Sequence, residues 1–258
     1  MCKGSGRDSY IICATPRTGS TLLCDLLAAT GVAGAPDSFF MRDVDPVWAE
    51  CWGLPGRAGR SEADYAAAYL QAAIRAGTGQ TGIFGLRLMG KHLGDLLALI
   101  DTVHPRLASD RARFEVTFGD VLYIHLSRED KLAQAVSMVK AEQTGLWHIA
   151  PDGSEVERLA PPRAPEYDFA RIATKLAEME RYDRAWLDWF AAEGLAPLRI
   201  GYETLATDPA AAVARICGAL GVPAPAPDRM KPGIARLADA ESRDWMRRFR
   251  KDAGARGL

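Results

Sequence analysis

The sequence contains few cysteines, and they are far apart. They are five in number, with no Cys-x-x-Cys pair among them: Cys2, Cys13, Cys24, Cys51 and Cys217. An odd, scattered set argues against both a disulfide framework and a structural zinc site. We therefore interpret these cysteines as the reduced thiols of a cytoplasmic protein.

Long apolar runs are also absent. No segment approaches the roughly 18 consecutive apolar residues of a membrane helix. Residues 1–9 are polar and lack the charged region, apolar stretch and cleavage site of a signal peptide. The sequence therefore predicts a cytoplasmic location and no stable insertion into a membrane.

The chain has no excess of charge of either sign. Its 32 Lys and Arg residues balance 33 Asp and Glu residues, which gives a formal net charge of −1. Nucleic acids and anionic membranes bind to broad basic surfaces, so we expect neither as a partner, although a local anion pocket is compatible with this balance. With 258 residues, 48% of them hydrophobic, the composition is that of a globular protein, and we predict a single domain over 1–258.

Short apolar runs alternate with helical patterns along the chain. The runs predict buried strands at Tyr10–Ala14, Gly82–Met89, Val121–Leu126 and Leu198–Tyr202. Apolar spacing predicts a helix after Thr21 and further helices over Glu62–Ala76, Leu93–Asp101, Lys131–Gln143, Tyr167–Ala192, Pro209–Leu220 and Ser242–Lys251. This alternation is typical of a three-layer α/β fold, in which helices flank a parallel sheet.

Three segments interrupt the alternation and are predicted to be irregular. They are 39–60, 151–165 and 222–233. The second is rich in proline and carries mixed charges, which predicts a mobile loop or lid. Trp48 and Trp52 in the first segment, and Trp147, could stack on a sugar, but core packing is the better interpretation of each.

The polar loop after the first strand carries the clearest functional signal. It reads Thr15-Pro16-Arg17-Thr18-Gly19-Ser20-Thr21 and leads into a helix. Loops of this kind bind anions, because successive backbone N–H groups and the helix N-terminus point at one place. Hydroxyls and amides can surround a phosphate while Arg17 supplies a permanent charge with two-point geometry. Ordinary capping of the helix by hydroxyl residues is the alternative.

This loop differs from that of the nucleotide triphosphatases, G-x-x-x-x-G-K-[ST]. No Gly opens it, and Ser20 stands where the Lys would be. Without that Lys, ATP chemistry loses its usual β/γ-phosphate ligand. A small-molecule kinase therefore remains only an alternative function.

A second polar segment follows the third predicted strand. Arg128 comes at the end of that strand, and Ser137 lies on the next helix. Since parallel strands end at a common edge of the sheet, we expect both residues to face the loop after the first strand. A surface arginine and a solvated serine are the alternative.

These blocks resemble the Stf0-type bacterial sulfotransferases, the family typified by trehalose 2-sulfotransferase. Tyr10–Gly34 is similar to the family's amino-terminal signature, His125–Asp130 with Gln134–Ser137 to its second block, and Ser242–Asp252 to its tail. The resemblance covers essentially the whole chain. It implies the P-loop-like sulfotransferase fold and transfer of a sulfuryl group from 3′-phosphoadenosine 5′-phosphosulfate to a hydroxyl of a carbohydrate or other small acceptor, without a metal. It also implies that homodimers can form by exchange of segments such as 39–60.

The resemblance assigns roles to the two polar blocks. The first block would hold the 5′-phosphosulfate through Arg17, Thr18, Gly19, Ser20 and Thr21. Arg128 and Ser137 would hold the 3′-phosphate, and Tyr202 belongs to a strand-end segment that flanks the nucleotide. An arginine in a central strand is costly unless it has a partner, so Arg87 is predicted to reach the sulfate or the acceptor, with a structural ion pair as the alternative.

The base that removes the acceptor proton is less clear from the sequence. In the trehalose enzymes it is a Glu at the position that Ser38 occupies here. Asp37 is the nearest carboxylate and is predicted as the base, with a turn Asp as the alternative and Asp43 and Asp45 as weaker candidates. His125, inside an apolar strand, is better explained as a buried core histidine. The departure at Ser38 keeps open a third function, a nucleotide-binding protein without catalysis.

Overall fold

Four parallel strands form the central sheet, in the order β2-β1-β3-β6. The computed structural model describes residues 6–41, 45–226 and 239–257. The strands are β1 (Ser9–Ala14), β2 (Phe84–Met89), β3 (Val121–Ser127) and β6 (Leu198–Gly201). The predicted α/β fold with a parallel sheet flanked by helices is confirmed.

Strand β1 is buried on both faces, because its side chains alternate between two apolar clusters. Tyr10 and Ile12 pack on one face against α1 (Ser20–Ala29) and α9 (Pro209–Leu220). Ile11 and Cys13 point to the other face. That face is covered by α3 (Glu62–Thr78), α4 (Leu93–Val103), α5 (Asp110–Phe118) and α7 (Phe169–Ala192). Burial of each large apolar side chain contributes about 1.5–3 kcal/mol to the stability of the fold. The two apolar clusters therefore fix the position of the carboxyl end of β1, where the polar loop begins.

Four further helices complete the described part of the chain. They are α2 (Asp45–Cys51), α6 (Lys131–Thr144), α8 (Tyr202–Thr207) and α10 (Ala240–Ala255). A short 3₁₀ turn at Gly90–His92 follows β2. Helices α2, α5 and α8 were not predicted from the sequence. Among the described residues, no helix combines the length and the apolar character that crossing a bilayer requires.

The segment 151–165, predicted to be irregular, contains a strand over Glu155–Arg158, so that part of the prediction is wrong, and its role as a mobile lid stays a prediction. Strands β4 (Leu146–Ile149) and β5 (Glu155–Arg158) pair antiparallel and form a hairpin. Its turn contains Gly153 at φ 86°, a conformation that suits glycine, and the Gly153 N–H donates to the Ala150 carbonyl. Of the polar residues in this hairpin, Asp152 and Glu155 are exposed to solvent and Glu157 lines the cavity described below.

The other two irregular segments have mixed outcomes. In 39–60 the chain forms α2, and Phe39 and Phe40 are buried. Trp48 stacks on Trp52 with ring centroids 5.4 Å apart, and both pack on the core as predicted. The segment 222–233 lies outside the described residues from position 227 onward, and so does Asp43, while α2 begins at Asp45.

Candidate active site

The loop between β1 and α1 is held in a curled conformation. Arg17 and Gly19 both have left-handed backbone angles, φ 63° and 79°. For a non-glycine residue this costs about 1–2 kcal/mol, so the surroundings must hold Arg17 in place. The buried Thr18 hydroxyl donates to the Thr15 carbonyl at 2.7 Å. The hydroxyl of Thr18 is therefore engaged within the loop, and only its backbone N–H can meet a ligand.

The side chain of Arg17 is half-buried at the mouth of this loop. Its Nε donates to Ser137 Oγ at 3.0 Å, and its Nη1 donates to the Trp147 carbonyl at 2.9 Å. Both acceptors are neutral. Burial, and next the positive charge of Arg128, lower the pKa of Arg17 to about 10. Neither of these two hydrogen-bond acceptors therefore carries a negative charge that could balance the guanidinium.

Arg128 lies at the same edge of the sheet as the β1–α1 loop, as the sequence predicts. Its Nη1 donates to the Arg17 carbonyl at 3.3 Å, and its guanidinium lies 4.4 Å from the centre of the Tyr202 ring. That ring also abuts Gly19, since a Cβ built on the glycine would be 2.8 Å from Tyr202 Cδ2. Two guanidinium groups, one buried and one half-buried, converge here with an aromatic ring and a helix N-terminus, which is the chemistry of an anion-binding site.

Arg87 both reaches the site and forms an ion pair. From β2 it donates to Ser38 Oγ at 2.8 Å and to Thr21 Oγ1 at 2.8 Å. Its Nη2 donates to Asp37 Oδ1 at 3.0 Å. Asp37 Oδ1 also accepts the Ser38 N–H at 2.7 Å, and the Asp37 side chain remains 46% exposed. Asp37 is therefore bound to Arg87, and its predicted role as base stays a prediction.

His148 belongs to this site although the sequence did not indicate it. Its Nε2 lies 3.2 Å from Thr21 Oγ1 and 3.4 Å from Glu157 Oε2. Burial, followed by the charges of Arg17 and Arg87, lowers the pKa of His148 to about 4, so the imidazole is neutral at pH 7. The β4–β5 hairpin brings it here, and the sequence gave no signal for it because neither strand of this hairpin was predicted.

His125 is a core histidine, as the sequence favours. It is 4% exposed, and its Nε2 lies 3.1 Å from Asp183 Oδ1. Lys131 contacts the other oxygen of Asp183 at 2.9 Å. Burial raises the pKa of Asp183, but the bonds from His125 and Lys131 outweigh it and hold that pKa below its usual value. His125 therefore stabilises the sheet and does not line the cavity described next.

One cavity of about 740 Å³ unites these groups. Its volume lies within the ~300–1,000 Å³ of typical ligand sites. Its polar lining includes Arg17, Ser20, Thr21, Ser38, Arg87, Arg128, Ser137, Trp147, His148, Glu157 and Tyr202. Its apolar lining includes Met41, Met89, Met138, Leu146, Leu159 and Met246. Within residues 6–41, 45–226 and 239–257, no cluster of His, Cys, Asp and Glu could hold a metal ion.

Comparisons with known proteins identify similar sequences and a similar solved structure. A trehalose 2-sulfotransferase from Mycolicibacterium smegmatis is 30% identical over 277 residues and covers 97% of each chain. Another, from Mycobacterium tuberculosis, is 30% identical over 268 residues, covering 96% of this chain and 97% of the relative. The sulfotransferase domain of the Synechococcus PCC 7002 olefin synthase aligns with a TM-score of 0.48 and 15% identity over 96% of each chain.

The family comparison covers nearly the whole chain. The family model described as Stf0 sulphotransferase matches residues 9–252, which contain the loop after β1, the end of β3 and most of α10. That match and the two 30% identical relatives lead to one assignment. The chain belongs to the Stf0 sulfotransferase family.

Proposed function

We propose that the protein transfers a sulfuryl group from 3′-phosphoadenosine 5′-phosphosulfate to a hydroxyl of a carbohydrate or other small acceptor. The observation that carries this proposal is the half-buried Arg17, whose hydrogen bonds go to neutral oxygens and which lies beside the like-charged Arg128. The charge of Arg128 disfavours that of Arg17, Glu157 offsets this in part, and an anion bound against Arg17 would offset it further. A donor with phosphates at both ends of its ribose would supply such negative charge.

The residues of the cavity fit such a donor. The backbone of the β1–α1 loop, with Arg17, would hold the 5′-phosphosulfate. Arg128 and Ser137 would hold the 3′-phosphate, and Tyr202 would flank the nucleotide. Arg128 rests on the Tyr202 ring at 4.4 Å, which preorganises its guanidinium for a phosphate. Positive charge from the protein takes the part that a metal plays in kinases.

The chemistry depends on positioning and on charge. Sulfuryl transfer resembles phosphoryl transfer, with a loose in-line transition state that is stabilised mainly by preorganised donors. Arg87 and Thr21 form a hydrogen-bonded pair at the end of the cavity next to Ser38, 2.8 Å apart. The guanidinium of Arg87 would stabilise the oxygens of the transferring group.

The relatives and the lining of the cavity support a carbohydrate as the acceptor class. Both curated relatives are named trehalose 2-sulfotransferase, which supports a carbohydrate. The half-buried Trp147 lines the cavity and offers an aromatic surface of the kind that packs on sugar rings. A serine at position 38 in place of the family's Glu argues for an acceptor other than trehalose itself.

Titration calorimetry with 3′-phosphoadenosine 5′-phosphate and an acceptor screen with radiolabelled donor test this proposal together. We expect stoichiometric binding, and transfer of label to at least one sugar or small alcohol. Binding without transfer to any acceptor would favour the non-catalytic alternative. Failure to bind this nucleotide would contradict the proposed function altogether.

A further inference from the structure

The imidazole of His148 lies where the β4–β5 hairpin meets the β1–α1 loop. Its Nε2 is 3.2 Å from the hydroxyl of Thr21, and that hydroxyl accepts a hydrogen bond from Arg87. With Arg87 donating to it, the Thr21 oxygen is free to direct its own proton to Nε2. In the neutral tautomer that carries its proton on Nδ1, Nε2 accepts this hydrogen bond, and His148 lines the cavity together with Thr21, Ser38 and Arg87.

We propose that His148, positioned by Glu157, is the base that takes the proton from the acceptor hydroxyl through the hydroxyl of Thr21. The inference rests on the proposed function. Glu157 lies directly opposite His148 in the β4–β5 pairing, and its carboxylate oxygen is 3.4 Å from Nε2. A carboxylate at that distance stabilises the imidazolium that forms after proton transfer.

The step balances without a further reactant. The acceptor O–H bond breaks and its proton goes to Oγ1 of Thr21, while the proton of the Thr21 hydroxyl passes to Nε2 of His148. The electron pair of the acceptor oxygen forms the new oxygen–sulfur bond. The bond from sulfur to the 5′-phosphate oxygen breaks, and its electron pair leaves with 3′-phosphoadenosine 5′-phosphate. The imidazolium then releases the proton to water, next to Glu157.

Because of the charges around His148, its pKa depends on whether the sulfuryl donor is bound. Three charged groups face it: Arg17 from the loop after β1, Arg87 from β2 and Glu157 from β5. In the free protein the two cations and burial depress the pKa to about 4. An anion bound against Arg17 offsets these cations, so the pKa of His148 rises and the imidazole becomes a stronger base when the donor is in place.

Asp37 is a poorer candidate on the same grounds. Its Oδ1 already accepts hydrogen bonds from Arg87 and from the Ser38 N–H. Asp37 is also absent from the lining of the cavity, whereas His148 and Glu157 are both part of it. The structure therefore favours Asp37 as a residue that orients Arg87.

Proton NMR titration of the His148 imidazole, assigned by comparison with His148→Gln, provides a test that does not depend on turnover. We expect its pKa to lie well below 6.5 in the free protein and to rise when 3′-phosphoadenosine 5′-phosphate saturates the site. The proposal is overturned if the nucleotide binds and the titration does not move. No binding by the wild type would instead count against the proposed function.

Single-turnover transfer from the donor, with trehalose, glucose and 4-nitrophenol as acceptors, provides the second test. His148→Gln should keep nucleotide affinity within about threefold and lower the rate by roughly 10²–10⁴-fold, the range for loss of a general base. Glu157→Gln should move the rising limb of the pH–rate profile to lower pH, because the imidazolium loses its stabilising carboxylate. His104→Gln, the same change outside the cavity, should match the wild type.

Asp37→Asn separates the two candidate bases. We expect a loss of less than about tenfold, since Arg87 keeps its bonds to Thr21 and Ser38. A loss of roughly 10²–10⁴-fold there, with His148→Gln near wild type, would show that Asp37 is the base. A wild type that binds the nucleotide but transfers to none of the three acceptors would overturn the inference together with the transferase activity.

Discussion

At the residue scale, the site depends on buried positive charge. Arg128 is 9% exposed, and Arg17 beside it has its pKa lowered to about 10 by burial and by Arg128. A guanidinium remains protonated at neutral pH even so. These two residues therefore present a permanent positive field to the cavity, which neutral hydroxyls alone could not provide.

Replacing Arg128 tests whether it contacts the 3′-phosphate. Arg128→Ala should weaken binding of 3′-phosphoadenosine 5′-phosphate by about 1.5–3 kcal/mol, the value of a hydrogen bond to a charged group. Calorimetry measures this loss, with the exposed Arg215→Ala on α9 as the matched control. Adenosine 5′-phosphate, which lacks the 3′-phosphate, should bind the Arg128→Ala protein and the wild type equally. An equal loss for both nucleotides would contradict this assignment.

At the element scale, the β1–α1 loop and the β4–β5 hairpin form the two walls around Arg17. The loop is curled by left-handed residues, and the hairpin contributes the Trp147 carbonyl and His148. The N-terminus of α1 lies at the same place, where its free N–H groups and dipole favour an anion. Close packing of Tyr202 on Gly19 ties α8 to this arrangement.

Replacing Gly19 tests that close packing. Gly19→Ala should lower stability by more than the about 1–2 kcal/mol of a left-handed alanine and should also reduce nucleotide affinity, because its Cβ would displace Tyr202. Gly31→Ala is the matched control: the backbone angle is similar, φ 68°, and a Cβ there meets nothing within 4 Å. It should lose only the stability, as measured by denaturant unfolding and calorimetry. Equal nucleotide affinity in the two variants would exclude a role for the Gly19–Tyr202 contact.

At the scale of the whole molecule, charge is balanced overall and concentrated locally. The formal net charge is −1, yet Arg17, Arg87 and Arg128 line one cavity. This distribution suits a small anionic ligand and does not suit a nucleic acid, which needs a broad basic surface. The cytoplasmic location, the single domain and the homodimer stay predictions, the last of which sedimentation analysis would decide.

For the whole molecule, we predict that nucleotide binding does not require a metal ion. Affinity for 3′-phosphoadenosine 5′-phosphate should be the same with and without a chelator, because arginines and a helix N-terminus supply the positive charge directly. Calorimetry in the presence of EDTA or of magnesium measures this. A strict magnesium requirement together with a preference for ATP would favour the kinase alternative.

Local patterns in the sequence determined the sheet, most of the flanking helices and the anion loop. Tyr10–Ala14, the polar loop after it and the apolar spacing of α1 are contiguous, so periodicity and turn chemistry suffice to predict strand, loop and helix. Arg128 was predictable for a related reason: parallel strands end at a common edge, which places the end of β3 beside the loop after β1.

Only the tertiary structure decided how the reacting end of the site is built. His148 and Thr21 are 127 positions apart, and Arg87 and Asp37 are 50 apart. Contacts at such separations depend on how a hairpin and a strand pack against the loop, and single-sequence periodicity carries no information on that packing. The β4–β5 hairpin was missed because β5 is polar and lies in a segment whose charges and downstream prolines resemble those of a loop, whereas the contacts of Trp147 and His148 with Arg17 and Thr21 exist only in the folded protein.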